Sequence, residues 1–213
     1  VGGASLTGTA QTIYNTLKTN IEKVANGELT STVFSVGDIS FADAPTSEAA
    51  KAKLGEMMSD ILGYLLMDCP YDLYWFNKVS GGGIKSTYGL SSAKPGVLLN
   101  VSVTFAVANE YRGGEHQVDP SKVSTPKVAA AKAKEIVNKY AGKSDYEKLK
   151  GYKEEICNLV AYNHGAADKG TNTPYGNPWQ LVWVFDGEAS TNVVCEGYAK
   201  AFQYLCDLST FNN

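Results

Sequence analysis

Three side chains in this sequence are equipped for nucleophilic or acid–base chemistry and stand where it could be used. Cys195 lies in "VVCEGYAKAFQYLC", where a stretched segment gives way to helical periodicity. His116 and His164 are the only two histidines. A thiol nucleophile needs a base to take its proton, and histidine most often supplies it. Both histidines precede Cys195 and none follows it. Over 195–209 a helix places Cys195, Tyr198, Ala199, Phe202, Leu205 and Cys206 on one apolar face, with Glu196, Lys200, Gln203 and Asp207 elsewhere. On this pattern Cys195 is the first residue of a buried stripe, a common place for a free cysteine. Its position at the head of a helix points the other way. The positive end of the macrodipole and the unpaired first N–H groups favour a thiolate there and can hold an oxyanion. Gly197 leaves room where a substrate would approach. Glu196 opposes a thiolate if it turns inward.

The other cysteines, Cys69, Cys157 and Cys206, add no metal signature, because no CxxC pair is present. Neither a metal nor a cofactor is expected. Cys195 and Cys206 on one helix are separated by about 16 Å of rise, whereas a disulfide needs Cα atoms within roughly 7 Å. Cys157 falls beside the apolar stripe of its own helix and reads as core. Gly81-Gly82-Gly83 lacks the spacing of a phosphate-binding loop despite Lys85-Ser86 nearby, and reads as a hairpin tip.

The elements that must position these groups follow from periodicity. Ile13, Leu17, Ile21 and Val24 form one stripe over 9–25, closed by Asn26-Gly27. Residues 31–37 read as a strand. A helix is expected from 47 to 68, with Ser47 as its cap and Pro70 beyond its end. Residues 97–111 alternate Leu99, Val101, Val103, Phe105 and Val107 against Asn100, Ser102 and Thr104, as a half-buried strand does. Residues 113–126 read as a linker. Thr125-Pro126 caps a helix running to about 141, and Ser144 with Glu147 forms a capping box for the next. Residues 164–179 read as a polar loop, and 180–191 as a short strand or a helical turn.

Here the motif supports a resemblance. "VVCEGYAKAFQYLCDL" (193–208) resembles the cysteine motif of the transglutaminase-like superfamily through Cys195, Gly197, Tyr198, Ala199, Phe202 and Leu205. "EEICNLVAYNHGAA" (154–167) is similar to the helix end and turn that precede the cysteine in bacterial members, and "YGNPWQLV" (175–182) sits where members carry an aromatic residue. The likeness covers roughly 127–213. It implies an α+β fold in which an N-terminal helix-and-strand region (1–112) and a linker (113–126) lead into the helical first half of a papain-like core (127–213). It also implies acyl transfer through a thioester on protein or peptide substrates, with Cys195 as nucleophile and the Trp179 indole as a second oxyanion donor. The family order continues with His and then Asp or Asn, which this sequence does not supply after Cys195. The polypeptide by itself is therefore expected to be inactive or nearly so. The alternative is a non-catalytic surface or secreted binding protein that keeps a degenerate form of the fold.

Bulk composition narrows the partners. The net charge is −3, from 19 basic and 22 acidic residues, and Arg112 is the only arginine. A phosphate backbone demands clustered Lys and Arg, so nucleic acid is not an expected partner. No stretch approaches the ~18–20 apolar residues of a transmembrane helix. The first residues lack an initiator Met and a charged, apolar leader, and read as a mature start. The Tyr-, Ser-, Thr- and Asn-rich composition is that expected of a secreted or cell-surface protein.

Overall fold

The computed structural model describes residues 2–79, 82–169 and 173–212. It mixes helices with antiparallel strands, an α+β chain. It divides into two compact units, one formed by 1–107 with 112–119 and the other by 108–111 with 120–213.

The first unit is a three-stranded antiparallel sheet backed by two helices. Helix α1 (Gly8–Asn26) buries its stripe of Ile13, Leu17, Ile21 and Val24. It stops at Gly27, whose φ of 80° is left-handed and whose N–H reaches the carbonyls of Lys23 and Val24. Strand β1 (Val33–Ser40) pairs with β3 (Val97–Phe105), which pairs on its other side with β2 (Ile84–Leu90), giving the order β1-β3-β2. Helix α2 (Ser47–Asp68) packs on β3 through Leu54, Met58, Ile61 and Leu65. Its cap is Thr46, not Ser47: the Thr46 hydroxyl accepts the Ala49 N–H at 3.1 Å while its backbone is extended.

β3 departs from simple alternation. Leu98, Val101, Val103 and Phe105 are fully buried, whereas Leu99 is only half-buried. The phase changes at Asn100, whose φ of 49° is left-handed and whose N–H donates to the Asp38 carboxylate at 2.7 Å. Ladder shifts in both neighbouring pairings fall at this point. One extra residue on β3 moves the buried set from the even position of Leu98 to the odd positions 101, 103 and 105.

Gly82 and Gly83 fold back on the segment before them, with the Gly82 N–H on the Val79 carbonyl at 2.7 Å and the Gly83 N–H on the Asn77 carbonyl at 2.6 Å. Phe76 bridges Val107, and Gly83 lies just before β2, with its carbonyl accepting the Ala106 N–H at 2.9 Å. The β2–β3 turn is a separate one, at 91–96. Gly81 lies outside the described residues. The segment read as a linker carries structure: β4 (Arg112–Gly114) and β5 (Gln117–Val118) form a small hairpin that continues onto Ser31 of the first unit.

The second unit is helical. Its elements are α3 (Ser124–Tyr140), α4 (Asp145–Leu159), α5 (His164–Lys169), α6 (Val182–Phe185) and α7 (Cys195–Asp207). Helix α3 starts before Thr125, so Pro126 is its third residue, still within the first turn where a missing N–H costs nothing. The Ser144–Glu147 capping box is present at α4 in both directions. The expected polar loop opens with α5, and 180–191 resolves as the helical turn α6, buried throughout. Helix α7 packs against α4, α3 and α6.

Candidate functional site

The chain entering α7 is tied to the chain leaving α4. Tyr162 and Val193 form a parallel bridge, and the Asn163 N–H donates to the Val193 carbonyl at 2.9 Å. The Ala161 N–H donates to the Asn192 side chain at 2.9 Å. Tyr175 donates its hydroxyl proton to the Asn192 carbonyl and accepts from the Asn163 amide at 2.9 Å. On the other side the Val194 N–H is taken by the Pro178 carbonyl at 3.0 Å. These bonds set the direction in which α7 starts.

Cys195 is the first residue of α7 and is exposed. It opens onto a groove of about 540 Å³ between α4 and α7. One wall is Ile156 and Cys157, the other Tyr198, Ala199 and Phe202, and Tyr162 stands at the end beside Cys195. The Tyr162 and Tyr198 rings stack at 6.2 Å. The Tyr198 hydroxyl donates to the Val160 carbonyl at 2.9 Å, which fixes the ring against α4.

The expected buried stripe of α7 is therefore rotated. Gly197, Lys200, Ala201 and Leu205 are buried, whereas Cys195 and Ala199 are exposed and Tyr198, Phe202 and Cys206 are half-buried. Two contacts turn the helix. A Cβ on Gly197 would lie 2.6 Å from the Val193 Cβ and 3.2 Å from the Pro178 carbonyl oxygen, so α7 is seated on this strand at its third residue. Gly197 is required by packing beneath the helix, not by access for a substrate. Lys200 is 8 % exposed; its ammonium lies 4.8 Å from the centre of the Trp179 ring and 3.4 Å from the Glu196 carboxylate. An aliphatic stem with a stacked, ion-paired head lets a lysine occupy the inner face.

Trp179 is thus the buried platform for Lys200 and is not among the groove's walls. Cys157, read as core, is exposed and shares the groove with Cys195. Cys206 is half-buried, and burial together with Asp207 raises its thiol above the ordinary value. Cys69, in the first unit, is fully buried and its thiol is pushed up to about 12 by burial, with Asp72 adding to the shift. All four cysteines are free.

The histidines fall apart. His164 heads α5, is exposed, and rests its ring 4.9 Å from that of Tyr162. His116 lies between β4 and β5 in the other unit, where its carbonyl accepts the Thr32 N–H at 2.9 Å. The groove wall itself presents neither imidazole nor carboxylate. Among the described residues no group of three or more His, Cys, Asp or Glu side chains is arranged to hold a metal ion, and no helix is long and apolar enough to cross a membrane.

Sequence pattern missed the groove because it treats every apolar helical position as buried. The Glu196–Lys200 spacing, an i,i+4 pair, ordinarily marks a solvated helix face, so nothing along the helix signalled that Lys200 turns inward onto Trp179. No protein-family model, curated protein or solved structure matches the chain.

Proposed function

We propose that Cys195 is the nucleophile of a thiol-dependent acyl transfer or amide hydrolysis on protein or peptide substrates, carried by a transglutaminase-like, papain-like core. The observation that supports this reading is the placement of the thiol. Of the four cysteines only Cys195 combines exposure, a helix N-terminus and an open groove. The Sγ–C bond forms as an amide carbonyl is attacked, and the oxyanion is met by the Cys195 N–H at the head of α7, where the Gly197 and Tyr198 N–H groups are already taken by the Val194 carbonyl. The C–N bond then breaks, and the amine leaves with the proton that the thiol gave up. Water or a second amine releases the acyl group from the thioester and restores the thiol. His164 belongs to the same unit as Cys195 and leans on Tyr162, so it is the imidazole to test as base.

A second reading is a non-catalytic module that binds peptide in the same groove. It is favoured by the absence of imidazole and carboxylate from the groove wall.

Cys157 is the internal control. It is exposed and shares the groove, but it lies in the last turn of α4, the negative end of a helix. Timed alkylation by iodoacetamide at pH 7, mapped by mass spectrometry, is expected to modify Cys195 several-fold faster than Cys157. Equal rates, or Cys157 first, would remove the nucleophile reading. The chain alone is expected to show little or no amine incorporation into a glutamine-containing peptide; any incorporation that is measured is expected to be lost in Cys195→Ala and kept in Cys157→Ala. Peptide binding without turnover in the wild type, unchanged in Cys195→Ala, favours the binding module.

A further inference from the structure

One cation stands in the wall of the α4–α7 groove. Lys153 lies one turn before Cys157 on α4, is exposed, and is the only charged side chain among the groove's described walls. Elsewhere in this unit Lys132, Lys139, Lys148 and Lys200 each have a carboxylate within 3.4 Å. Lys153 has no such partner among the described residues.

The neighbouring acids are engaged or turned away. On α4, Asp145 holds Lys148 and accepts the Asn212 N–H at 2.9 Å, Glu147 closes the capping box, and Glu155 is bonded by Lys139 and Tyr140. Glu154 follows Lys153 directly, and successive residues of a helix point about 100° apart. On α7, Glu196 is paired with Lys200, and Asp207 accepts from the Gln203 amide at 3.4 Å. The groove is thus an apolar surface that carries one uncompensated positive charge.

How the two helices run fixes the place of that charge. The end of α4 meets the start of α7 through the Tyr162–Val193 bridge. Further back along α4, the Tyr152 and Ser209 hydroxyls bond at 2.7 Å and the Lys148 ammonium donates to the Thr210 carbonyl at 2.7 Å, both just past the end of α7. The helices are therefore antiparallel. Cys195 stands at one end of the groove, and Lys153, next to Tyr152, stands toward the other, where Phe202 lies. The seven residues from Cys195 to Phe202 rise about 10 Å. An extended peptide covers that distance in about three residues.

We propose that this groove selects peptides bearing a carboxylate about three residues from the amide that faces Cys195, and that Lys153 is the specificity-determining residue that reads it. Ile156, Tyr198 and Phe202 offer apolar contact to the side chains between. Charge attraction is stronger beside such walls than in open water, so the lysine separates a carboxylate from the isosteric carboxamide. The inference rests on the nucleophile reading of Cys195 for the reaction, whereas recognition of the carboxylate does not need the thiol.

The test uses the full chain and short Ala/Leu peptides with a chloroacetamide at either end, so that the electrophile takes the position of the attacked carbonyl. One residue, one to five positions from the electrophile, is Glu, Gln or Lys. Labelling of Cys195 is timed by mass spectrometry, and unreactive acetamide analogues are titrated by fluorescence anisotropy. At the third position Glu is expected to label and bind about fivefold better than Gln, and Lys worse than either. The advantage is expected to vanish in Lys153→Gln and to turn toward Lys in Lys153→Glu. It is expected to persist in Lys150→Gln, which removes the same charge from a position outside the groove wall. Both lysines are exposed, so the variants keep the fold, and their thermal midpoints check this. If Cys157 is labelled as fast as Cys195 while anisotropy keeps the Glu preference and its loss in Lys153→Gln, the nucleophile reading fails and the carboxylate site stands. Three results would overturn the proposal: Glu and Gln peptides that bind alike; a Glu advantage that survives Lys153→Gln; or a self-associated free chain in which 156–157 and 198–202 are already protected from amide exchange, which assigns the groove to a second copy.

Discussion

Replacing Gly197 by alanine separates a packing role from an access role, because the two predict opposite outcomes. If the glycine only leaves room for a substrate, alanine improves the helix by up to about 1 kcal/mol and obstructs labelling of Cys195. The structure predicts the reverse. The new Cβ would sit 2.6 Å from the Val193 Cβ, 3.0 Å from its Cγ2 and 3.2 Å from the Pro178 carbonyl oxygen. Carbon atoms pack at ~3.5–4.0 Å, so the first contact is about 1 Å too close. Relief is not easily found. Val193 is fully buried and bridged to Tyr162, and the Pro178 oxygen already accepts the Val194 N–H at 3.0 Å. Overpacking of this kind costs about 1–3 kcal/mol. After subtracting the helix gain, which is smaller in a first turn, the net loss is about 1–2 kcal/mol. With a urea m-value of ~1–3 kcal/mol per molar, the midpoint falls by roughly 0.3–2 M. Gly55→Ala is the matched control, since it meets open space and is expected to stabilise by about 0.5–1 kcal/mol. Urea denaturation read by hydrogen-exchange mass spectrometry reports each unit separately. A Gly197→Ala protein that is as stable as wild type or more so, with slowed alkylation of Cys195, refutes the packing account.

Two further predictions concern the first unit. Thr46→Ala removes the hydroxyl that accepts the Ala49 N–H and is expected to cost about 1 kcal/mol, whereas Ser47→Ala is expected to cost little; equal losses in thermal denaturation would return the cap to Ser47. Burial pushes Cys69 up to about 12, and burial also pushes Tyr71 up to about 12. The unfolded chain gives up these protons at lower pH than the folded chain does. The stabilisation is therefore complete below about pH 9 and is lost as pH rises toward 12. The urea midpoint of this unit should fall between pH 9 and 11, and fall less in Cys69→Val; a midpoint that does not move with pH over that range contradicts the assignment.

Much of the helical framework was legible in the sequence because it rests on local rules. The α1 stripe, the Gly27 stop and the Ser144–Glu147 box each involve residues within one or two turns of one another. The start of α7 at Cys195 was legible for the same reason. The alternation of β3 was legible only in part. The left-handed turn at Asn100 depends on Asp38, sixty-two residues away, which no window along the strand contains.

The sequence by itself determined that a cysteine heads the last described helix, that no histidine follows it, and that apolar residues recur along one side of that helix. Only the tertiary structure decided which side faces inward. Val193 and the Pro178 carbonyl seat the helix at Gly197, and the Trp179 ring draws Lys200 to the inner face. The stripe that periodicity assigns to the core is thereby left as the wall of an open groove, with Cys195 and Cys157 both exposed on it. Periodicity states that an apolar face exists, but what covers it depends on contacts made by segments far apart along the chain.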